Sequence, residues 1–334
     1  MAVNHTAAPF LEVRDLILEF PIQGGTLSAL RGVSFSLAAG ERLGIVGESG
    51  AGKSLVASAV VNLISPPGRI TGGEVRFEGR NLLALDADEI RAIRGRRIAM
   101  VFQDPMTTLN PVLTIGRQLT ECLEAHGLAF GRQAHEQAVE RLREVAIPSP
   151  RERMAAYPHE LSGGMRQRVV IAAALIMQPS IIIADEPTTA LDVTIQAEIM
   201  SLLTDLCTRR KMALILITHD LSLVAQTTDN IMVMYSGLVI EHGATAEVIS
   251  SPRHPYTRGL LLSLSERADG GRFYQIPGGM PPLSAIPAGC AFHPRCPYAD
   301  ALCQQEIPPL RSCGKGPRAA CHHLERQEPR LYGG

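Results

Sequence analysis

The eight residues "GESGAGKS" (47–54) restrict the fold of this chain more than any other stretch. They satisfy G-x-x-x-x-G-K-[ST] at every fixed position. The strand-like run "RLGIVG" leads into them, and a helical pattern with Leu55, Val56, Ala59, Val60 and Leu63 on one face comes next. Glycines let the backbone curl until its N–H groups point into one concavity, and the helix N-terminus adds partial positive charge. Such a strand–loop–helix unit cradles phosphates. Gly47, Glu48, Ser49, Gly50, Ala51 and Gly52 form the loop, Lys53 reaches the β- and γ-phosphates, and Ser54 offers a hydroxyl to Mg²⁺.

The rest of the chain supplies the sheet that such a loop needs. Residues 10–46 read as strands broken by glycines at 24–25, 32 and 40. "PPG" at 66–68 is expected to end the helix after the loop, and "RRIAMVFQDP" reads as a buried strand ending at Pro105. Residues 112–157 carry helical spacing and charge without strand signals, which predicts a helical subdomain, spanning about 104–160, inserted into an α/β core. "SIIIADEP" and "MALILITHD" then add two strands, each preceded by a helical stretch. That alternation predicts a mostly parallel sheet covered on both faces. From about residue 252 the texture changes: turn chemistry at "SPRHPYT", a short amphipathic helix, and a Pro/Gly stretch at 276–289. Two domains are therefore expected, 8–251 and 252–334.

Composition narrows the function classes. A hydrophobic fraction of 46% allows a sizeable core. A formal charge of −1 gives no reason to expect nucleic acid as a partner. The N-terminus lacks a basic start followed by an apolar run, and the most apolar runs, such as "VVIAAALIM", fall well short of the roughly 20 residues that span a bilayer. A soluble chain that stays in the cytosol is the expectation, and there clustered cysteines point to metal or catalysis rather than to a structural disulfide.

A second chemical signal lies in "IIIADEP" (181–187), an apolar strand ending in two acids. Asp185 at the strand tip would complete a Mg²⁺ shell, and Glu186 is placed to polarise an attacking water. Just upstream, "LSGGMRQR" (161–168) resembles the signature motif of ABC ATPases, and the order of all three motifs agrees with that family. The resemblance implies the phosphate-loop NTPase core of the ABC type, in which two such domains close head to tail over two ATP molecules. Ser162, Gly163 and Gly164 would then face the γ-phosphate held by a partner, as a second helix terminus that binds an anion. By the same resemblance Gln103 in "VFQDP" senses metal and water and helps hold Mg²⁺. Asp192 in "TTALD" lies at the dimer interface, and His219 in "LITHD" contacts the γ-phosphate. Phe20, about 27 residues before the loop, is the candidate for stacking on adenine, while Phe35 is expected in the core.

The tail narrows the resemblance. "HPYTRGLL" (254–261) and "GCAFHPRCPYADALC" (289–303) resemble the C-terminal extension of the D-type ATPase subunit of dipeptide/oligopeptide importers. That implies ATP-driven import of di- and oligopeptides from the cytoplasmic face of the inner membrane, as a peripheral subunit. The implied partners are a second homologous ATPase, two integral membrane permease subunits and an extracytoplasmic solute-binding protein. Nickel, glutathione and murein peptides are alternative cargoes within the subfamily, and a soluble non-transport ATPase is the rival class.

Cys290, Cys296, Cys303 and Cys321 are spaced C-x5-C-x6-C-x17-C, unlike the paired C-x2-C of common zinc sites. Through the resemblance these four are implied ligands of a [4Fe–4S] cluster, for which four thiolates are the right number and softness. Zinc and unmetallated thiols stay open as alternatives. Cys313 is either a substitute ligand or a spare, and Cys122 and Cys207 are expected in helices facing the core. His293, His322 and His323 flank the cysteines, and Arg295 and Arg318 are placed to offset thiolate charge.

Overall fold

A computed structural model describes residues 9–189, 191–263, 274–312 and 316–324. In chain order the strands are β1 (Leu11–Ile22), β2 (Gly25–Leu37), β3 (Arg42–Val46), β4 (Arg69–Phe77), β5 (Arg80–Asn81), β6 (Ile98–Val101), β7 (Ile181–Asp185), β8 (Ala213–Thr218), β9 (Asn230–Tyr235), β10 (Leu238–Ala244), β11 (Arg311–Ser312) and β12 (Arg318–Ala319). The helices are α1 (Lys53–Val60), α2 (Ala87–Ile93), α3 (Pro105–Thr108), α4 (Ile115–Ala125), α5 (Gly131–Glu144), α6 (Pro150–Arg153), α7 (Gly163–Leu175), α8 (Val193–Arg210), α9 (Leu221–Thr227), α10 (Thr245–Ser250), α11 (Pro255–Leu262) and α12 (Ala301–Gln305). The chain divides into two units. The first holds Met1–Leu37, Arg42–Leu83 and Ile217–Gly334, the second Ala38–Glu41 and Ala84–Leu216.

In the first unit an antiparallel sheet runs β2–β1–β4–β5. Leu11, Val13, Leu16 and Leu18 of β1 are buried. The step from odd to even numbers marks a bulge, where Asp15 adopts φ 44° and the register slips between Val13 and Leu16. Beside this layer β3 pairs with β9 in parallel, and β10 returns antiparallel to β9. Leu43, Ile45, Val46 and Ile231–Tyr235 form unbroken buried runs, as strands covered on both faces do. The expected mostly parallel sheet is thus joined by a separate antiparallel layer. Its long strands carry charged outer faces, which continuous-run reasoning does not separate from the main sheet.

Two boundaries differ from expectation. Helix α1 ends at Val60, before "PPG", because Asn62 turns left-handed at φ 50° and Leu63 N–H closes back on the Ser58 carbonyl at 2.7 Å. Leu63 is consequently half-exposed rather than on the buried face. Strand β6 ends at Val101, not Pro105, because Asp104 caps α3 through Met106 N–H and Pro105 opens that helix.

The second unit pairs β6 with β7 in parallel, with β8 next in order. Between residues 104 and 160 the regular elements are helical, α3 to α6 and one 3₁₀ turn, as the charge and spacing predict. Thr114, Ser162 and Asp192 cap α4, α7 and α8 through their side chains. Among the described residues no helix is long and apolar enough to cross a membrane.

After β10 the chain is pinned by a buried carboxylate. Glu241 accepts N–H bonds from Arg253 (2.6 Å) and His254 (2.9 Å), and His254 Nδ1 accepts from Tyr256 N–H at 3.0 Å to open α11. Burial lowers the His254 pKa to about 3, so the folded imidazole is neutral. Its contribution to stability is complete above its ordinary value near 6.5 and is lost as pH falls below that. Glu241, raised to about 6 by burial, acts in the opposite sense, its contribution falling as pH rises from 4.5 to 6. A comparison with His254→Asn, whose amide can keep the cap, isolates the histidine. In urea melts the wild type's advantage over that variant should shrink by about 2 kcal/mol between pH 7.5 and pH 5.

Candidate nucleotide site

The phosphate loop sits in the first unit, between β3 and α1. A Cβ on Gly47 would lie 2.4 Å from the Met234 carbonyl oxygen, so only glycine lets the loop leave β3 this close to β9. Gly52 adopts φ 100° as the cap of α1, and the Ala51 carbonyl accepts from Gly237 N–H at 3.0 Å. Lys53 is 6% exposed, and its Nζ donates to the carbonyls of Gly47 (2.8 Å) and Glu48 (3.1 Å), which points the ammonium into the loop's concavity. Ser49, Gly50 and Ser54 are exposed. Phe20 pairs with Leu27 across the β1–β2 hairpin; its half-buried ring packs so closely on Gly68 that a Cβ there would be 2.8 Å from Cε1. Phe35 is buried in the core. His219 is exposed directly after β8, and Asp220 caps α9 beside it.

In the second unit Asp185 is the buried last residue of β7. Glu186 follows at φ 44°, a left-handed conformation that costs a non-glycine residue on the order of 1–3 kcal/mol. Its carboxylate accepts from Gln103 Nε2 at 3.1 Å and from Thr189 Oγ1 at 3.0 Å. Two of the acids and amides singled out in the sequence therefore meet, and Thr189, overlooked there, joins them. Ser162 Oγ accepts from Met165 N–H at 3.4 Å and Asp192 Oδ1 from Ile195 N–H at 2.9 Å. The two helix starts lie side by side: Gly163 faces Leu191, and a Cβ on Gly164 would meet Ile195 Cγ2 at 2.8 Å. The glycines after Ser162 thus let α7 begin against α8 with its N-terminus exposed.

In the first unit Cys290, Cys296, Cys303 and Cys321 line one cavity, together with His293, His322 and His323. Burial, with the neighbouring cysteines adding to it, pushes the Cys296 thiol up to about 12 and Cys321 up to about 11. Burial raises Cys290 as well. His323 Nε2 lies 2.9 Å from Asp300 and 3.7 Å from Cys303 Sγ, so these three form a close ligand group. Arg295 does not offset a thiolate as expected: its guanidinium is taken by the Glu48 carboxylate. Arg318 instead reaches the Leu310 carbonyl, and Arg311, unnoticed in the sequence, donates to the carbonyls of Cys321 and His322. Cys207 is buried in α8 and Cys122 half-buried in α4. Cys313 lies outside the described residues.

Comparison with known proteins fits this geometry. The ABC transporter family matches residues 30–189, and the family described as "Oligopeptide/dipeptide transporter, C-terminal region" matches residues 240–303. The oligopeptide transport ATP-binding protein OppD of Salmonella typhimurium is 47% identical over 312 residues, 93% of this chain and 92% of that protein. The chain belongs to the ABC transporter ATP-binding family. The dipeptide transport ATP-binding protein DppD of Haemophilus influenzae is 45% identical over 93% of this chain and 94% of its own. Among solved structures, a dimeric post-hydrolysis state of the ATP-binding cassette MJ0796 bound to ADP and Pi superposes with a TM-score of 0.63 at 30% identity. It covers 70% of this chain and 98% of that one. The ABC fold thus accounts for the cassette, and the segment beyond it carries the family's peptide-transporter extension.

Proposed function

We propose that this chain hydrolyses ATP to power import of di- and oligopeptides, as a peripheral subunit on the cytoplasmic face of the inner membrane. The observation that carries the reading is the coexistence, in one chain, of the full motif set and the peptide-transporter extension matched over residues 240–303. Lys53 and the loop N–H groups would bind the phosphates, and Phe20 would stack on adenine. Ser54, Gln103 and Asp185 offer hydroxyl, amide and carboxylate oxygens, the donor set Mg²⁺ takes, and there it would neutralise charge on the β- and γ-phosphates. Glu186, oriented by Gln103 and Thr189, would polarise the attacking water, and His219 would contact the γ-phosphate. Ser162, Gly163 and Gly164 would complete the site of a partner ATPase, with Asp192 at the interface. Two membrane permease subunits and an extracytoplasmic binding protein would complete the importer.

The tail is read as a metal knot. Cys290, Cys296, Cys303 and Cys321 would hold a [4Fe–4S] cluster, which supplies a cross-link for a segment with little core of its own. A tetrathiolate zinc would bring its sulfurs to roughly 3.8 Å of one another, from Zn–S bonds of ~2.3 Å. Among the described residues, no three of the four thiols fall in a ligand group as close as 4.8 Å; the group that does is Asp300, Cys303 and His323.

Uptake of a labelled dipeptide and tripeptide in cells deleted for this chain tests the function. Transport should be lost, return with the wild-type chain, and stay lost with Lys53→Ala. Undiminished peptide uptake, or loss confined to nickel or glutathione, would overturn the cargo. Iron and sulfide measured on anaerobically purified protein test the knot, with about four of each expected per chain.

A further inference from the structure

We infer that the C-terminal extension is part of the nucleotide site, with Arg295 and Tyr256 acting as positioning residues that fix Glu48 of the phosphate loop and cancel its charge. This rests on the reading of Gly47–Ser54 as the ATP loop. A loop that must take a polyanion is poorly served by a carboxylate at its second position, and Glu48 stands there. The structure answers that conflict from about 250 residues away in the chain. Arg295 grips both carboxylate oxygens, Nη1 to Oε2 at 2.9 Å and Nη2 to Oε1 at 3.1 Å, the paired geometry that planar guanidinium favours.

Arg295 is itself held rigidly. Its side chain is 7% exposed; Nε donates to the Pro277 carbonyl at 2.8 Å and Nη1 to the Tyr235 hydroxyl at 3.2 Å. The guanidinium carbon lies 5.8 Å from the ring centroids of both Tyr235 and Phe292. The Glu48 backbone is held from the same side: its N–H donates to the Tyr256 hydroxyl at 2.8 Å. Tyr256 is fully buried, edge-on to Tyr235 at 4.8 Å and Phe292 at 5.5 Å. Side chain and main chain of one loop residue are thus both bound by the extension. Arg295 also closes the turn that joins Cys290 to Cys296, where Cys296 N–H bonds back to the His293 carbonyl. The cysteine knot and the phosphate loop are therefore linked through a single side chain.

The test is equilibrium binding of ATP to the purified full-length protein, with melting temperatures recorded alongside. Arg295→Ala should weaken ATP about tenfold, because it leaves a half-buried carboxylate uncompensated next to the phosphates. Adding Glu48→Gln in the same chain removes that charge and should restore affinity to within about threefold of wild type. A merely structural role for Arg295 gives no such recovery. Tyr256→Phe keeps the ring packing and should still weaken ATP about threefold or more, by freeing the Glu48 N–H. Wild-type affinity in Arg295→Ala, or no recovery in the double variant, overturns the proposal. If Arg295→Ala does not fold, Tyr256→Phe decides it, and wild-type affinity there is the overturning result. Failure of the unmodified chain to bind ATP, or unchanged binding in Lys53→Ala, would instead fault the assignment of the loop itself.

Discussion

Glu186→Gln should bind ATP as tightly as the wild type and hydrolyse it at least about a hundredfold more slowly. The substitution keeps shape and backbone, and a glutamine oxygen can still accept from Gln103 Nε2 and Thr189 Oγ1. It removes the negative charge proposed to polarise the attacking water. The left-handed backbone at φ 44° is equally strained with either residue, so thermal stability should stay within about 0.5 kcal/mol of wild type. Single-turnover hydrolysis of radiolabelled ATP separates the two quantities. Unchanged turnover would remove Glu186 from the chemistry and leave its strain without a function.

Lys53→Ala should lose ATP affinity by about a hundredfold, the largest binding effect expected of any single change in the loop. Its ammonium is the positive charge aimed into the cradle, and it also satisfies two loop carbonyls, those of Gly47 and Glu48. Truncation removes the charge that meets the β- and γ-phosphates and leaves both carbonyls to water. Isothermal titration with MgATP reads the loss directly. Affinity within about threefold of wild type would mean that the loop's N–H groups bind the phosphates without the lysine, and that its buried position serves the fold alone.

Much of the cassette was legible because its motifs are themselves local structural statements. A strand, a Gly-rich turn, a lysine and a helix start, close together in the chain, specify one local geometry, and β3, the loop and α1 adopt it. "IIIAD" reads as a buried strand from its unbroken apolar run, and Ser162 reads as a cap because two glycines and a helical run succeed it. The boundaries that shifted did so for local reasons periodicity does not encode: a left-handed Asn62 ended α1 early, and the Asp104 cap ended β6. The contacts that tie the tail to the loop were not legible. Arg295, beside a cysteine, suggests a counter-charge to thiolate, and nothing in its neighbourhood points to Glu48, 247 residues earlier. Tyr256 had a signal of its own, a histidine cap and a proline opening α11, but that signal announces a helix start and not the hydroxyl's acceptor role. The four thiols line one cavity, and the histidine and aspartate beside Cys303 meet it only through folding of the tail.

The measurement that bears most directly on the proposed function is ATP hydrolysis by the assembled transporter in proteoliposomes, with the membrane and ATPase subunits that co-purify with this chain. Rates are compared with binding protein alone and with binding protein loaded with peptide. A peptide importer predicts a several-fold rise in hydrolysis on adding loaded binding protein, abolished when this chain carries Glu186→Gln. A rate indifferent to peptide, or one that survives Glu186→Gln in full, would contradict it.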